Sequence, residues 1–147
     1  RVTIAGEGPL RAALETGPAE LIGPVAPETA VTLIESASLV VAPSVVAGDG
    51  SRDGIPMVLK EALTLEVPVV ASDAVGNPEV VEPEWGALYQ AGDRTALAAA
   101  IGGMLDRSDR EAMGRAGRVF AERNLDVRRQ TAKLRDLFAE FRTPTRG

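Results

Sequence analysis

The sequence predicts an α/β domain of Rossmann-like type, with a parallel sheet, helices on both faces and a helical C-terminus. Three observations predict it. Short apolar, β-branched runs recur between residues 2 and 90, and they are continuous rather than alternating, as in strands covered on both faces. Helix-like segments separate them, which is the pattern of successive βαβ units. After residue 93 the apolar residues fall at helical spacing.

Taken in order, VTIA at 2–5 reads as a buried strand, and EGPLRAALE at 7–15 as a short helix with Pro9 in its first turn. ELIGPV at 20–25 is a second strand. Residues 27–37 form a helix whose apolar side is Val31, Leu33, Ile34 and Ala37. SLVVAPS at 38–44 is a strand that ends at Pro43, and the Gly/Asp-rich loop VVAGDGSRDGI follows. Residues 56–65 read as helix, 67–71 as strand, NPEVVE as a helix-like turn and GALYQ as a further strand. Three apolar helical stripes close the chain. They are Leu97, Ile101, Met104 and Leu105; then Met113, Ala116, Gly117 and Phe120; then Leu134, Leu137, Phe138 and Phe141. The whole of residues 1–147 reads as one domain with no internal repeat.

Composition narrows the chemistry. The chain has 147 residues, enough to bury about 70% of the surface its unfolded form exposes. Only five residues are aromatic, so Val, Leu, Ile and Ala must build the core. There is no Cys and no His, which excludes disulfides, thiol nucleophiles and imidazole-dependent triads. Carboxylates, cations, hydroxyls and backbone groups remain. A net charge of −5 without a basic face argues against nucleic acid as a partner. No apolar run reaches the ~18 residues of a membrane span, and no signal-peptide pattern is present, so a cytoplasmic protein is expected.

In open parallel sheets, ligands bind beyond the carboxyl ends of the strands. Three loops there are rich in Gly, Pro or Asp: residues 5–9, 43–56 and 72–79. AGEGPLR has Gly6 and Gly8 of a dinucleotide fingerprint but Arg11 in place of the third glycine, so a tight strand-to-helix turn is the plainer reading. GDGSRDG at 48–54 imitates the start of a calcium loop. Its twelfth position is Lys60, however, and Pro43 precludes an entering helix, so that reading is excluded.

DGIPMVLKEAL at 53–63 carries more. With Pro56 as first helical residue, the amides of Met57, Val58 and Leu59 would project from a helix N-terminus and suit a phosphate. Gly54 would let a ligand approach the backbone. Glu61, with Met57, Val58, Thr64 and Leu65 around it, should be partly enclosed and in need of donors such as ribose hydroxyls. Alternatively, Asp53 and Glu61 merely complement the helix end and face water. The residues by themselves leave both open.

The same stretch, with the PVV that follows it, resembles the E-x7-E motif of retaining GT-B glycosyltransferases, glycosyltransferase family 4 (the group 1 transferases). AGEGP, IGPV at 22–25, VVAPS at 40–44, GNPEVVE at 76–82 and GALYQAGD at 86–93 resemble that family's other motifs in order and spacing, across nearly the whole chain. The combination also resembles members that build bacterial exopolysaccharides.

The resemblance implies the C-terminal, donor-binding half of a GT-B fold, acting with retention on a nucleoside-diphosphate sugar, of hexosyltransferase type. It implies no cofactor and no metal, since no D-x-D pair is placed for one. Asp53 corresponds to the catalytic acid near the donor sugar's hydroxyls, and Glu61 to the acid that holds the ribose. Gly54, Ile55, Pro56, Met57 and Val58 meet the sugar and diphosphate, while Val25 lies near the base. Gly76, Asn77 and Glu79 line the same cleft, and Gly6 and Gly8 its far wall.

An Arg/Lys pair and an acceptor domain precede these motifs in the family. The chain therefore reads as truncated at its N-terminus and inactive alone, with peripheral membrane contact only through the absent part. It departs from the pattern at three positions: Asp53 replaces Glu, and Glu66 and Val75 stand where glycine is usual. A non-catalytic nucleotide-sugar-binding or scaffolding domain is the alternative. A sugar-nucleotide epimerase of the same architecture is disfavoured by the D-x7-E spacing.

Overall fold

The computed structural model describes residues 1–52 and 54–142. The chain divides into two units, residues 1–36 and 37–147. Both are α/β, and every strand pairing among the described residues is parallel.

In the first unit β1 (Thr3–Ala5) pairs with β2 (Glu20–Gly23), and α1 (Arg11–Leu14) lies between them in sequence. This helix is shorter than the expected 7–15. Pro9 has no amide to donate, and the residues before Arg11 close as turns, with the Arg11 amide on the Gly8 carbonyl at 3.1 Å. α2 (Pro27–Glu35) begins with proline at its first position, where no amide partner is required. Ile34 is its buried residue, whereas Val31, expected on the apolar side, is exposed.

In the second unit β3 (Val40–Ala42), β4 (Val69–Ser72) and β5 (Gly86–Tyr89) form a sheet in sequential order. The central strand β4 is buried at every residue, as its unbroken apolar run requires. It begins two residues later than expected because the Val67 amide is already used. α3 (Met57–Thr64) ends with Glu66 at φ 60°, which directs the Val67 amide to the Ala62 carbonyl at 2.9 Å and the Glu66 amide to Leu63 at 3.3 Å. These are the two bonds of a Schellman cap, and buried Ala62 and Val67 supply its apolar contact. The cap demands a left-handed residue, so Glu66 adopts the conformation that glycine would take freely.

Three helices follow: α4 (Arg94–Leu105), α5 (Arg110–Asn124) and α6 (Val127–Arg142). The Asp93 carboxylate caps α4 by accepting from the Thr95 and Ala96 amides at 2.8 and 2.9 Å. Leu97, Ile101 and Met104 of α4 pack with Val70, Tyr89 and Met113 in one core cluster, but Leu105, the last residue of the helix, is 45% exposed. On α5, Met113 and Gly117 are buried and Phe120 stacks on Trp85 with ring centroids 4.8 Å apart. The third stripe is not buried. Leu134, Leu137, Phe138 and Phe141 are all exposed, Phe141 by 81%, on the helix α6, which docks on α5. Among the described residues no helix is long and apolar enough to cross a membrane.

α3 and α5 meet through glycine. A Cβ on Gly114 would collide with the Glu66 carbonyl, and one on Gly117 would lie 2.8 Å from Leu63 Cδ2 and 3.2 Å from Trp85 Cβ. Gly103, also helical, has open space where a Cβ would stand, with nothing within 4 Å. Gly114→Ala should therefore lower unfolding free energy by at least about 3 kcal/mol through a backbone clash. Gly103→Ala should raise it by roughly 0.5–1 kcal/mol through chain entropy. Urea titration of both variants checks the contrast, and equal effects would contradict the packing described. Glu66→Gly relieves a left-handed side chain while adding unfolded-state freedom, so a gain of about 0.5–1 kcal/mol is expected in the same titration.

Candidate functional site

Parallel strands deliver their following loops to one edge of a sheet. In the first unit this places Gly6 and Gly8 just after β1, and Val25 just after β2. Gly6 takes φ 126°, and its amide bonds the Gly23 carbonyl at 2.7 Å, tying the two loops together. Gly6 and Gly8 are exposed and Val25 is half-buried.

In the second unit the loops after β3 and β4 converge. The Gly76 amide donates to the Gly54 carbonyl at 3.2 Å. A Cβ on Gly76 would lie 2.7 Å from Ile55 Cγ1 and 2.9 Å from the Gly54 oxygen, so only glycine admits this approach. Gly54, Ile55 and Gly76, expected together from the sequence, are thus in direct contact beside the start of α3. The preceding residue, Val75, is 43% exposed and takes φ 51°, again the conformation of the glycine it replaces.

The helix start differs in detail from expectation. Pro56 is buried and has ψ 133°, so it is the N-cap, and Met57 is the first helical residue. The Leu59 amide is occupied by the Pro56 carbonyl at 3.2 Å and is not available to a ligand. Among the described residues the amides of Met57 and Val58 have no acceptor, and they retain the partial positive charge of a helix N-terminus. Met57 itself is 62% exposed and Val58 half-buried.

Glu61 is exposed rather than partly enclosed. Leu59, Ala62 and Leu63 form the buried face of α3, and Glu61 shares the opposite face with Met57 and Thr64, at helical spacing of four and three residues. Asp53 lies outside the described residues. Asn77 is corrected most. Its side chain is fully buried and turned inward, donating from Nδ2 to the Ser72 carbonyl at 3.0 Å and to Ser72 Oγ at 3.3 Å. It does not face a cleft. Glu79, two residues on, is exposed, with its amide on the Gly76 carbonyl.

Sequence reasoning missed Lys60, whose ammonium reaches back to Met57 Sδ at 3.8 Å and brings a cation to the first turn of α3. The tendency of helical side chains to lean toward the N-terminus was the available signal. Nearby, the Asp49 carboxyl is held below its ordinary range by hydrogen bonds from the Ser51 side chain and amide, which closes the tip of the loop after β3. The Tyr89 hydroxyl is pushed up, first by burial and then by Asp73, and the Asp73 amide bonds the Tyr89 carbonyl at 2.8 Å. That pairing braces the start of the β4 loop against β5. Among the described residues no three His, Cys, Asp or Glu side chains gather as a metal site.

Known proteins are similar to this chain in sequence and in fold. The amylovoran biosynthesis glycosyltransferase AmsK of Erwinia amylovora is 37% identical over 108 residues, covering 67% of this chain and 26% of its own length. The chain thus spans about a quarter of that relative. Sucrose-phosphate synthase from Thermosynechococcus elongatus superposes with a TM-score of 0.74 at 24% identity, over 94% of this chain and 38% of its own. Anabaena HepE, solved in complex with UDP-glucose, superposes with a TM-score of 0.75 at 20% identity, over 94% and 40%. Both structures share the α/β fold. The glycosyl transferases group 1 family matches residues 1–107, which is most of the chain and includes every loop described above, and the protein belongs to that family.

Proposed function

We propose that this chain is the donor-binding part of a retaining hexosyltransferase of glycosyltransferase family 4. The whole protein would move a sugar from a nucleoside-diphosphate donor to an acceptor in polysaccharide synthesis. The observation that carries the reading is the contact of Gly54 and Ile55 with Gly76 beside the open amides of Met57 and Val58, in a chain of this family. Two names support the direction: AmsK is a transferase of amylovoran biosynthesis, and HepE was solved with UDP-glucose.

In this reading the Met57 and Val58 amides and the helix dipole meet the donor's diphosphate. Charge developing on the leaving diphosphate is stabilised there, commonly the largest catalytic contribution. The bond from the anomeric carbon to the β-phosphate oxygen breaks. A bond to the acceptor hydroxyl forms on the same face of the sugar, and the acceptor's proton passes to the departing diphosphate. Lys60 adds a cation at the first turn. Glu61 binds the ribose hydroxyls from the exposed face of α3, and Asp53 binds hydroxyls of the donor sugar. Glu79 and the Gly76 backbone border the donor. No divalent ion is required. The acceptor-binding part and further phosphate cations belong to the remainder of the whole protein, of which a relative such as AmsK is nearly four times the matched length.

The alternative, a drifted non-catalytic domain, rests on Asp53, which lies outside the described residues, and on Glu66 and Val75. The latter two keep the left-handed backbone that glycine would have, at φ 60° and 51°, so these replacements leave the loop and cap geometry in place and weigh against it.

Calorimetry on the whole protein with UDP-, GDP- and ADP-glucose tests the reading. Glu61→Ala should weaken the best donor by about 1–3 kcal/mol, because ribose hydroxyls lose their acceptor. Unchanged affinity would remove that role. Asp53→Ala should cost the sugar conjugate more than the bare nucleoside diphosphate, and equal losses would remove the assignment of Asp53 to the sugar.

A further inference from the structure

Ser72 and Asn77 are the buried polar side chains among the described residues, each 0% exposed. Ser72 ends β4, and its hydroxyl donates to the Ser44 carbonyl, 28 residues earlier, at 2.6 Å. Asn77 Nδ2 donates to the Ser72 carbonyl and hydroxyl oxygen, while Asn77 Oδ1 is buried without a partner among the described residues. A core built for stability alone would place apolar side chains here, since a half-satisfied buried network is unfavourable. What the network does instead is fix one backbone to another. Ser44 is the second residue of the segment that runs from the end of β3 to α3, and Gly54, bonded by Gly76, lies near its end. The β4 loop therefore grips that segment at both ends, through Ser72 at residue 44 and through Gly76 at residue 54. Between the grips the segment closes on itself, with the Ala47 amide on the Ser51 carbonyl and the Gly50 amide on Ala47, both at 2.9 Å.

We propose that Ser72 and Asn77 are positioning residues for the donor site, holding the loop after β3 at Ser44 so that the Met57 and Val58 amides stand where the diphosphate binds. The inference rests on the donor-site reading above. A phosphate bound by backbone amides is sensitive to small displacements, so a support shell that locks the loop should appear in affinity and not in stability alone. Ser72 touches no ligand in this scheme; it acts through Ser44 and Asn77.

The test uses the whole protein, with the tightest binder among UDP-, GDP- and ADP-glucose as probe, well below the melting temperature of every variant. Ser72→Ala and Asn77→Ala should each weaken donor binding at least tenfold, and Ser72→Thr, which keeps the hydroxyl, should stay within threefold of wild type. Met113→Ala, a core cavity away from these loops, should lower Tm while leaving affinity unchanged. Alanine variants that lose Tm but keep donor affinity within twofold would overturn the proposal. Should Asn77→Ala not fold, Ser72→Ala and its threonine rescue decide alone. A wild type that binds none of the donors overturns the donor-site reading and this inference together. Weakening by Glu61→Ala but not by Ser72→Ala overturns this inference only.

Discussion

The close approach of α5 to the C-terminal end of α3 is the constraint on which the second unit depends. Two glycines on α5 permit it: Gly114 lies against the Glu66 carbonyl and Gly117 against Leu63. Arg118, on the same helix, donates to the Thr64 carbonyl at 2.5 Å and satisfies one of the acceptors the helix end leaves open. With its C-terminus clamped and Leu59 and Leu63 fully buried, each worth roughly 1.5–3 kcal/mol, α3 has one orientation. Its N-terminus is thereby directed to the carboxyl edge of the sheet, beside Gly76.

A second consequence is the division of labour along α3. One end is sealed by a Schellman cap and covered by α5, and at the other the Met57 and Val58 amides have no acceptor among the described residues. The chain has no His and no Cys, and in the proposed donor site fixed backbone dipoles would carry electrostatic work that side chains do elsewhere. Such groups need no protonation state, but they must be held still. The buried pair Ser72 and Asn77 shows where rigidity was built in.

Much of this was legible in the sequence. Short apolar runs located all five described strands, although of these only β4 is buried at every residue and β1, expected to be buried, has Thr3 and Ala5 exposed. That the loops at 43–56 and 72–79 both follow parallel strands was read from their placement, while the grouping of Gly54, Ile55 and Gly76 in one cleft came from the family resemblance. Glu66 and Val75, marked as replacements of glycine, both proved left-handed. What stayed hidden depended on partners or on dihedrals. Helical spacing identified the stripe Leu134, Leu137, Phe138 and Phe141 but does not state whether anything covers it. Proline is compatible with both the N-cap and the first helical position, and ψ 133° at Pro56 chose the former. Asn77 reads as a loop ligand until its burial is known, and Glu61 lay on the face of α3 away from its core residues.

Val75 shows how firmly the backbone is dictated by its surroundings. Its side chain is largely in solvent and gains little from the core, yet the residue is kept left-handed by the Gly76–Gly54 bond that follows it. In stereochemical terms the site has a handedness opposite to that of the amino acid occupying it. A D-residue incorporated at position 75 by chemical synthesis would sit relaxed where L-valine is strained. The loop is thus a place where mirror-image chemistry fits the native fold better than the residue that nature supplied.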